Sequence, residues 1–143
     1  MLISTKGRYA LRVLTDMAEH GGDGYVPLKE IAQRQEISEK YLESIIKILV
    51  KEGILTGLRG KGGGYRLSKS PDRISVETIL RITEGSLSPV ACLEAGAEPC
   101  ARVASCRTLE LWQGLDRVIR DYLNQYTIAD LMQTDEPGDN YVI

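Results

Sequence analysis

The stretch from Val26 to Ser68, VPLKEIAQRQEISEKYLESIIKILVKEGILTGLRGKGGGYRLS, decides the fold. Pro27 suits the first turn of a short helix, PLKEIAQRQ, with Leu28, Ile31 and Ala32 as its apolar face. A brief turn, QEIS, follows, and Ser38 is a good N-cap for a second helix, EKYLESIIKILVKE. In that helix Leu42, Ile45, Ile46 and Leu49 form one stripe, and Gly53 supplies the stop. Two short helices joined by a tight turn predict a helix-turn-helix. The runs ILTGL and YRLS then read as short strands joined by RGKGGG, which predicts a β-hairpin wing.

Upstream, Tyr9, Val13, Leu14, Met17 and Ala18 fall at helical spacing between a Ser4-Thr5 cap and a GGDG stop, so a helix is expected from Thr5 to about His20. Downstream, Ser75 caps VETILRITEG, whose Val76, Ile79 and Ile82 can close the core. From Leu87 to Ser105 there is no periodicity, and Pro89, Gly96 and Pro99 mark a loop. A long helix is expected from Cys106 to about Tyr126, where Leu111, Leu115, Val118 and Tyr122 recur in alternating steps of four and three. Such a stripe suits ordinary core packing or a two-fold seam. The seam is the favoured reading, because the N-terminal helices already have enough apolar faces to close on themselves. Thr127 and Asp130 make a capping-box start for a last short helix, TIADLMQ.

The expected fold class is thus mainly α with a small β-hairpin: a winged helix-turn-helix domain at 1–82, a cysteine-containing loop at 83–105, a dimerisation helix and short C-terminal helix at 106–133, and a polar, flexible tail at 134–143. With 143 residues, 43% of them hydrophobic, the chain can bury a core without disulfides. No run approaches the roughly 18 apolar residues of a membrane span, and MLISTKGRYALRV lacks the features of a secretory signal, so no membrane partner and a cytoplasmic location are expected.

The net charge of −2 conceals a division. Residues 1–81 carry fourteen Lys and Arg against ten Asp and Glu, whereas residues 82–143 carry four against ten. The basic part is suited to a polyanion. Between Gly53 and Pro71, Arg59, Lys61, Arg66 and Lys69 meet no acidic residue. A recognition helix must turn one apolar face to its own domain and one mixed polar face to base edges and phosphates. The helix after Ser38 does so with Glu39, Lys40, Tyr41, Glu43, Ser44 and Lys47, where Lys40 and Lys47 suit phosphates and Glu43 suits a cytosine amino group. Consecutive glycines between Arg59, Lys61 and Arg66 let the wing backbone approach a phosphate or a minor groove. A phosphate-cradling loop is the competing reading, disfavoured because RGKGGGYRL lacks the GxxxxGK[ST] order and leads into a strand.

All three cysteines, Cys92, Cys100 and Cys106, fall in one short window. An odd number so placed suits a reduced compartment and a ligand role better than a disulfide framework. A loop lets several thiolates converge, which fits an iron-sulfur cluster. A zinc site with one further donor and three buried structural cysteines are the competing readings. A cysteine-nucleophile enzyme would need a neighbouring base, and the single histidine, His20, lies far off in sequence.

These residues resemble the Rrf-type winged-helix transcription regulators. The resemblance covers nearly the whole chain to about Gln133 and rests on STKGRYALRVLTDMA, the helix-turn-helix stretch, RGKGGGYRLSK, and the three-cysteine loop before the Trp112 helix. It implies a homodimer on a palindromic double-stranded operator, acting as repressor or activator. It also implies base or backbone contacts from Glu39, Lys40, Tyr41, Glu43 and Ser44, and minor-groove contact from Arg59. Its cluster-binding members sense iron, redox or nitric oxide status, and the genes expected under control are those of cluster assembly or iron homeostasis. The alternative is a cluster-free member answering to a small molecule or protein partner.

Two departures bear on the fourth ligand. IscR-like members carry a histidine three residues after the third cysteine, where this chain has Leu109. NsrR-like members borrow an aspartate near the start of the partner's first helix, where this chain has Arg8. Glu110, about one helical turn after Cys106, is the nearest oxygen donor, with Glu94, Glu98, a partner residue or a small thiol as alternatives. The expected cofactor is an iron-sulfur cluster of open nuclearity, [2Fe-2S] being preferred to [4Fe-4S], although the long first cysteine spacing resembles RirA-like members.

Overall fold

The computed structural model describes residues 2–132, so the tail expected at 134–143 lies outside the described residues. Helix α1 (Thr5–His20) begins where the Ser4 side chain accepts from the Gly7 amide, and α2 (Leu28–Gln35) follows after Pro27, which sits in the cap position just before the first turn. Glu36, in a left-handed conformation at φ 55°, turns the chain toward α3 (Glu39–Lys51), capped by Ser38. Strands β1 (Leu55–Leu58) and β2 (Gly64–Leu67) pair antiparallel, with Leu55 opposite Leu67 and Leu58 opposite Gly64. Helix α4 (Val76–Glu84) starts at Ser75, α5 runs from Leu109 to Asn124, and α6 (Ile128–Leu131) opens with the expected capping box of Thr127 and Asp130.

Amphipathic faces from five helices meet in one core. Val13 and Leu14 of α1, Ile31 of α2, Leu42, Ile45 and Leu49 of α3, Ile79 of α4 and Ile128 of α6 are all fully buried within it. Each such side chain contributes about 1.5–3 kcal/mol by leaving water, so the apolar stripes rather than helix propensity hold these short helices. A second, smaller cluster of Val76, Leu80 and Leu87 takes in Ile3, Leu11 and Leu123.

Helix α5 departs from this pattern: none of its residues is fully buried, and it lies against α4. Its C-terminal end is nevertheless fastened to the domain. The Val76 amide donates to the Tyr126 carbonyl and the Ile128 amide to the Ile74 carbonyl, both at 2.9 Å, and α6 packs on α1.

One boundary differs from the sequence reading. The long helix starts at Leu109 rather than Cys106, with Arg107 and Thr108 in a turn ahead of it. The Thr108 carbonyl accepts the Trp112 amide and so begins the helical hydrogen bonding, while the Cys106 sulfur lies beside the Thr108 hydroxyl at 3.6 Å. The loop is also anchored at its start, since α4 continues to Glu84 and Leu87 is buried. A short 3-10 turn at Ala91–Leu93 interrupts it.

Candidate nucleic-acid interface and cysteine loop

Burial of Leu42, Ile45, Ile46 and Leu49 forces the other side of α3 outward, and Glu39, Lys40, Glu43, Ser44 and Lys47 are all exposed there. Tyr41 is placed differently. It is half-buried, with its ring edge-on to Tyr9 of α1 at 5.9 Å, so most of the residue braces α3 against α1. The Ser44 hydroxyl donates to the Tyr41 carbonyl at 2.6 Å, within the helix.

The wing carries Arg59 and Lys61 at its exposed tip. Arg66 is drawn aside, its guanidinium resting 4.9 Å over the Tyr25 ring. The wing does not hang freely on its hairpin. Val26 and Tyr65 exchange two backbone hydrogen bonds, at 2.8 and 2.9 Å, which tie β2 to the residue just before the helix-turn-helix. Gly64 makes this possible: its φ is +145°, and a Cβ there would run into the Val26 carbonyl.

The helix-turn-helix is itself locked to α1. Asp16, buried in α1, accepts from Arg34 Nη2 at 2.7 Å, from Arg34 Nε at 2.9 Å and from Gln35 Nε2 at 2.9 Å. Burial alone would push its carboxyl up, but the hydrogen bonds from Arg34 and Gln35 and the charge of Arg34 hold it below the usual carboxylate range. At the other end of α1, Glu84 accepts from both the amide and the hydroxyl of Ser4, at 3.0 and 2.7 Å. Sequence reasoning missed Asp16, Val26 and Glu84. An acid beside Val13, Leu14 and Met17 on a buried face was the one visible signal, since buried carboxylates require partners.

Cys92, Cys100 and Cys106 are all free and exposed, which removes the reading of buried structural cysteines. Hydrogen bonding from the Thr108 side chain and from the backbone of Thr108 and Leu109 lowers the Cys106 thiol below its ordinary pKa, favouring the thiolate that binds metals. In chemistry, three thiols in one segment fit a sulfur-ligated centre. In arrangement they are not gathered: among the described residues no three His, Cys, Asp or Glu side chains stand together so as to hold a metal ion. Because Cys106 lies outside α5, the one-turn spacing that recommended Glu110 does not apply, although Glu110 is exposed in the first turn of α5. Arg8 donates to Thr5, and His20 bonds the Asp16 carbonyl within α1.

The remaining apolar stripe is left exposed among the described residues. Leu111, Leu115, Val118 and Tyr122 are 61, 39, 64 and 55% exposed, an unusual state for four large apolar side chains on one helix face.

Residues 3–134 match the Rrf2 family of iron-dependent transcriptional regulators. The chain belongs to the Rrf2 family. The HTH-type transcriptional regulator IscR of Erwinia tasmaniensis is 39% identical over 136 residues, covering 95% of this chain and 81% of that protein. Among solved Rrf2-like structures, CymR, the global cysteine regulator of B. subtilis, superposes with a TM-score of 0.73 at 37% identity, covering 92% of this chain and 95% of that one. The IscR of T. potens gives 0.71 at 35% identity, covering 92% and 85%. This Rrf2 protein is accordingly a DNA-binding transcription regulator with the winged-helix fold, and no described helix is long and apolar enough to cross a membrane.

Proposed function

We propose that this Rrf2 regulator works in the cytoplasm as a homodimer that reads a palindromic operator and senses iron, redox or nitric oxide status through an iron-sulfur cluster on Cys92, Cys100 and Cys106. The observation that carries the proposal is the cysteine segment itself: three free, exposed thiols, Cys92 within the short turn Ala91–Leu93 and Cys100 and Cys106 in the stretch without helix or strand between that turn and the start of α5. Drawing those sulfurs together breaks no α-helix or strand and disturbs at most the short turn that holds Cys92. When bound, such a cluster supplies a redox-active, oxygen-sensitive centre. The chain's own part is to offer three thiolates, with an oxygen donor such as Glu110 or an external group for the fourth position, Leu109 being unable to ligate. [2Fe-2S] remains the preferred nuclearity.

The segment joins the base of α4, which Glu84 clasps to α1, to the head of α5. A change in its shape therefore acts on the two elements that set how paired reading heads stand apart. On those heads Glu39, Lys40, Glu43, Ser44 and Lys47 face the major groove, Tyr41 braces the helix and reaches the backbone with its edge, and Arg59 and Lys61 reach the minor groove. The control of cluster-assembly or iron-homeostasis genes follows from a sensor of this kind.

A second reading is favoured by the ungathered sulfurs and by the likeness to CymR: a regulator without a cluster that answers to a small molecule or protein partner. DNA binding by anaerobic protein, compared before and after iron chelation, separates the two. Cluster sensing predicts a changed affinity or sequence choice, while the second reading predicts identical binding. In either case Arg59→Ala weakens binding by about 1–3 kcal/mol if the guanidinium contacts a base, and less if it meets only phosphate.

A further inference from the structure

Side chains along the paired strands alternate between two faces, and the face that carries Tyr65 over Gly57 is the one turned toward α3. Thr56 and Arg66, directly opposite each other in the register, stand on the other face, where the Thr56 and Ser68 hydroxyls meet at 2.7 Å. This second face looks onto the C-terminal end of α1 and the loop that follows it, across an open cleft of about 580 Å³. Met17, Ala18 and Leu67 give the cleft an apolar floor, while its rim is polar. Arg66 and Lys69 stand on the strand side of the rim and Asp23 on the loop side. Among the described residues, none of these three charges is in an ion pair. The Arg66 guanidinium is nevertheless held in place, resting 4.9 Å over the Tyr25 ring, a contact that leaves its N–H donors available.

We propose that this cleft binds a small phosphate monoester with a hydroxylated body, its phosphate against Arg66 and Lys69 and its hydroxyls toward Asp23. A phosphate monoester carries about −1.5 to −2 charges at neutral pH, which two cations balance, whereas a single carboxylate would leave one of them unmatched. The guanidinium fork suits two phosphate oxygens at once, and the ammonium adds a point charge. Ser68 and Ser70 supply neutral donors on the same side. Asp23, across the cleft, can only accept, so it suits a body rich in hydroxyls and repels a second anionic group. The volume exceeds what a bare phosphate needs and lies within the roughly 300–1,000 Å³ of small-molecule sites. A ligand held in this way joins the base of the wing, through Arg66, to the loop ahead of α2, through Asp23. Its occupancy therefore sets how the wing stands against the reading helix, a consequence that rests on the small-molecule reading given above, whereas the binding itself requires neither DNA nor a cluster.

The test uses the full chain without DNA and follows backbone amide shifts by NMR, with ribose 5-phosphate, inorganic phosphate and ribose as probes. Ribose 5-phosphate is expected to move the amides of Gly22, Gly24, Ser68 and Lys69 and to bind more tightly than either of the other two. Lys69→Gln and Arg66→Gln, both at exposed positions, should each weaken it about tenfold or more, the loss of one hydrogen bond to a charged group, while Lys69→Arg retains it. Arg117→Gln on α5 serves as the comparator and should bind as the wild type does. Amides that stay still with ribose 5-phosphate up to millimolar concentration, or shifts that survive both Gln variants, would overturn the proposal. Inorganic phosphate binding as tightly as the ester would overturn it as well, since the cleft then takes an anion without a body. If the ester binds as expected but leaves the affinity for duplex DNA unchanged, the site stands and the small-molecule reading of its consequence fails.

Discussion

Asp16 on α1 receives a two-pronged hydrogen bond from the Arg34 guanidinium on α2, at 2.7 and 2.9 Å, so the first helix of the helix-turn-helix is oriented by a buried carboxylate eighteen residues earlier. Charge-assisted bidentate pairs of this kind are among the stronger polar contacts, and losing one partner leaves the other incompletely satisfied. Asp16→Asn should destabilise the protein by about 1.5–3 kcal/mol in denaturant unfolding. The pH dependence has a definite sign. The folded-state pKa of Asp16 is lowered from 3.8, so its contribution is fully present above that value and is lost as pH falls further through the folded pKa. The denaturant midpoint of Asp16→Asn should therefore depend less on pH below about 4 than that of the wild type.

The uncovered stripe on α5 gives a prediction about assembly. A second copy that packed Leu111, Leu115, Val118 and Tyr122 would exclude a lone charge placed among them, because burying an unpaired charge is costly. Leu115→Glu or Val118→Asp should convert dimers to monomers in sedimentation velocity without loss of helix content, since neither position belongs to the buried core. Unchanged dimer mass for both would place the interface elsewhere.

What could be read in the sequence, and what could not, divides by distance along the chain. The stripe of α3, the Ser38 cap and the glycine-rich hairpin were legible because each is a local pattern of period, cap or turn, complete within a few residues. The pairing of Val26 with Tyr65 and the clasp of Glu84 on Ser4 span 39 and 80 positions, and no local pattern announces them. Gly7 shows the same limit. A Cβ there would meet the Glu84 carboxylate that clasps Ser4 and crowd Leu80, so the glycine lets α1 lie against α4 without disturbing that clasp. The start of α5 was misplaced because Cys106, Arg107 and Thr108 continue an apparently helical run. Only the Thr108 carbonyl, as the first acceptor for α5, fixes the boundary. The exposed face of α3 was assigned residue by residue except for Tyr41, whose packing on Tyr9 depends on how α1 crosses α3.

Cys106 offers a chemical prediction that needs no metal. Its thiol pKa is lowered chiefly by the Thr108 hydroxyl, and alkylation proceeds through the thiolate. In cluster-free protein at neutral pH, Thr108→Val should slow iodoacetamide labelling of Cys106, followed by peptide mass spectrometry, with the labelling of Cys92 as an internal reference. Equal rates in both proteins would mean that the Thr108 contact does not persist in solution.

The central claim is that Cys92, Cys100 and Cys106 together hold an iron-sulfur cluster, and its most direct test is anaerobic reconstitution with iron and sulfide, followed by visible absorbance and by iron and acid-labile sulfide analysis. A cluster on these thiols gives a coloured protein containing both elements that bleaches in air, with the chromophore lost on changing any one of the three cysteines to Ser and only shifted or less stable in Glu110→Ala. A colourless wild type that takes up zinc or no metal under the same conditions would contradict it.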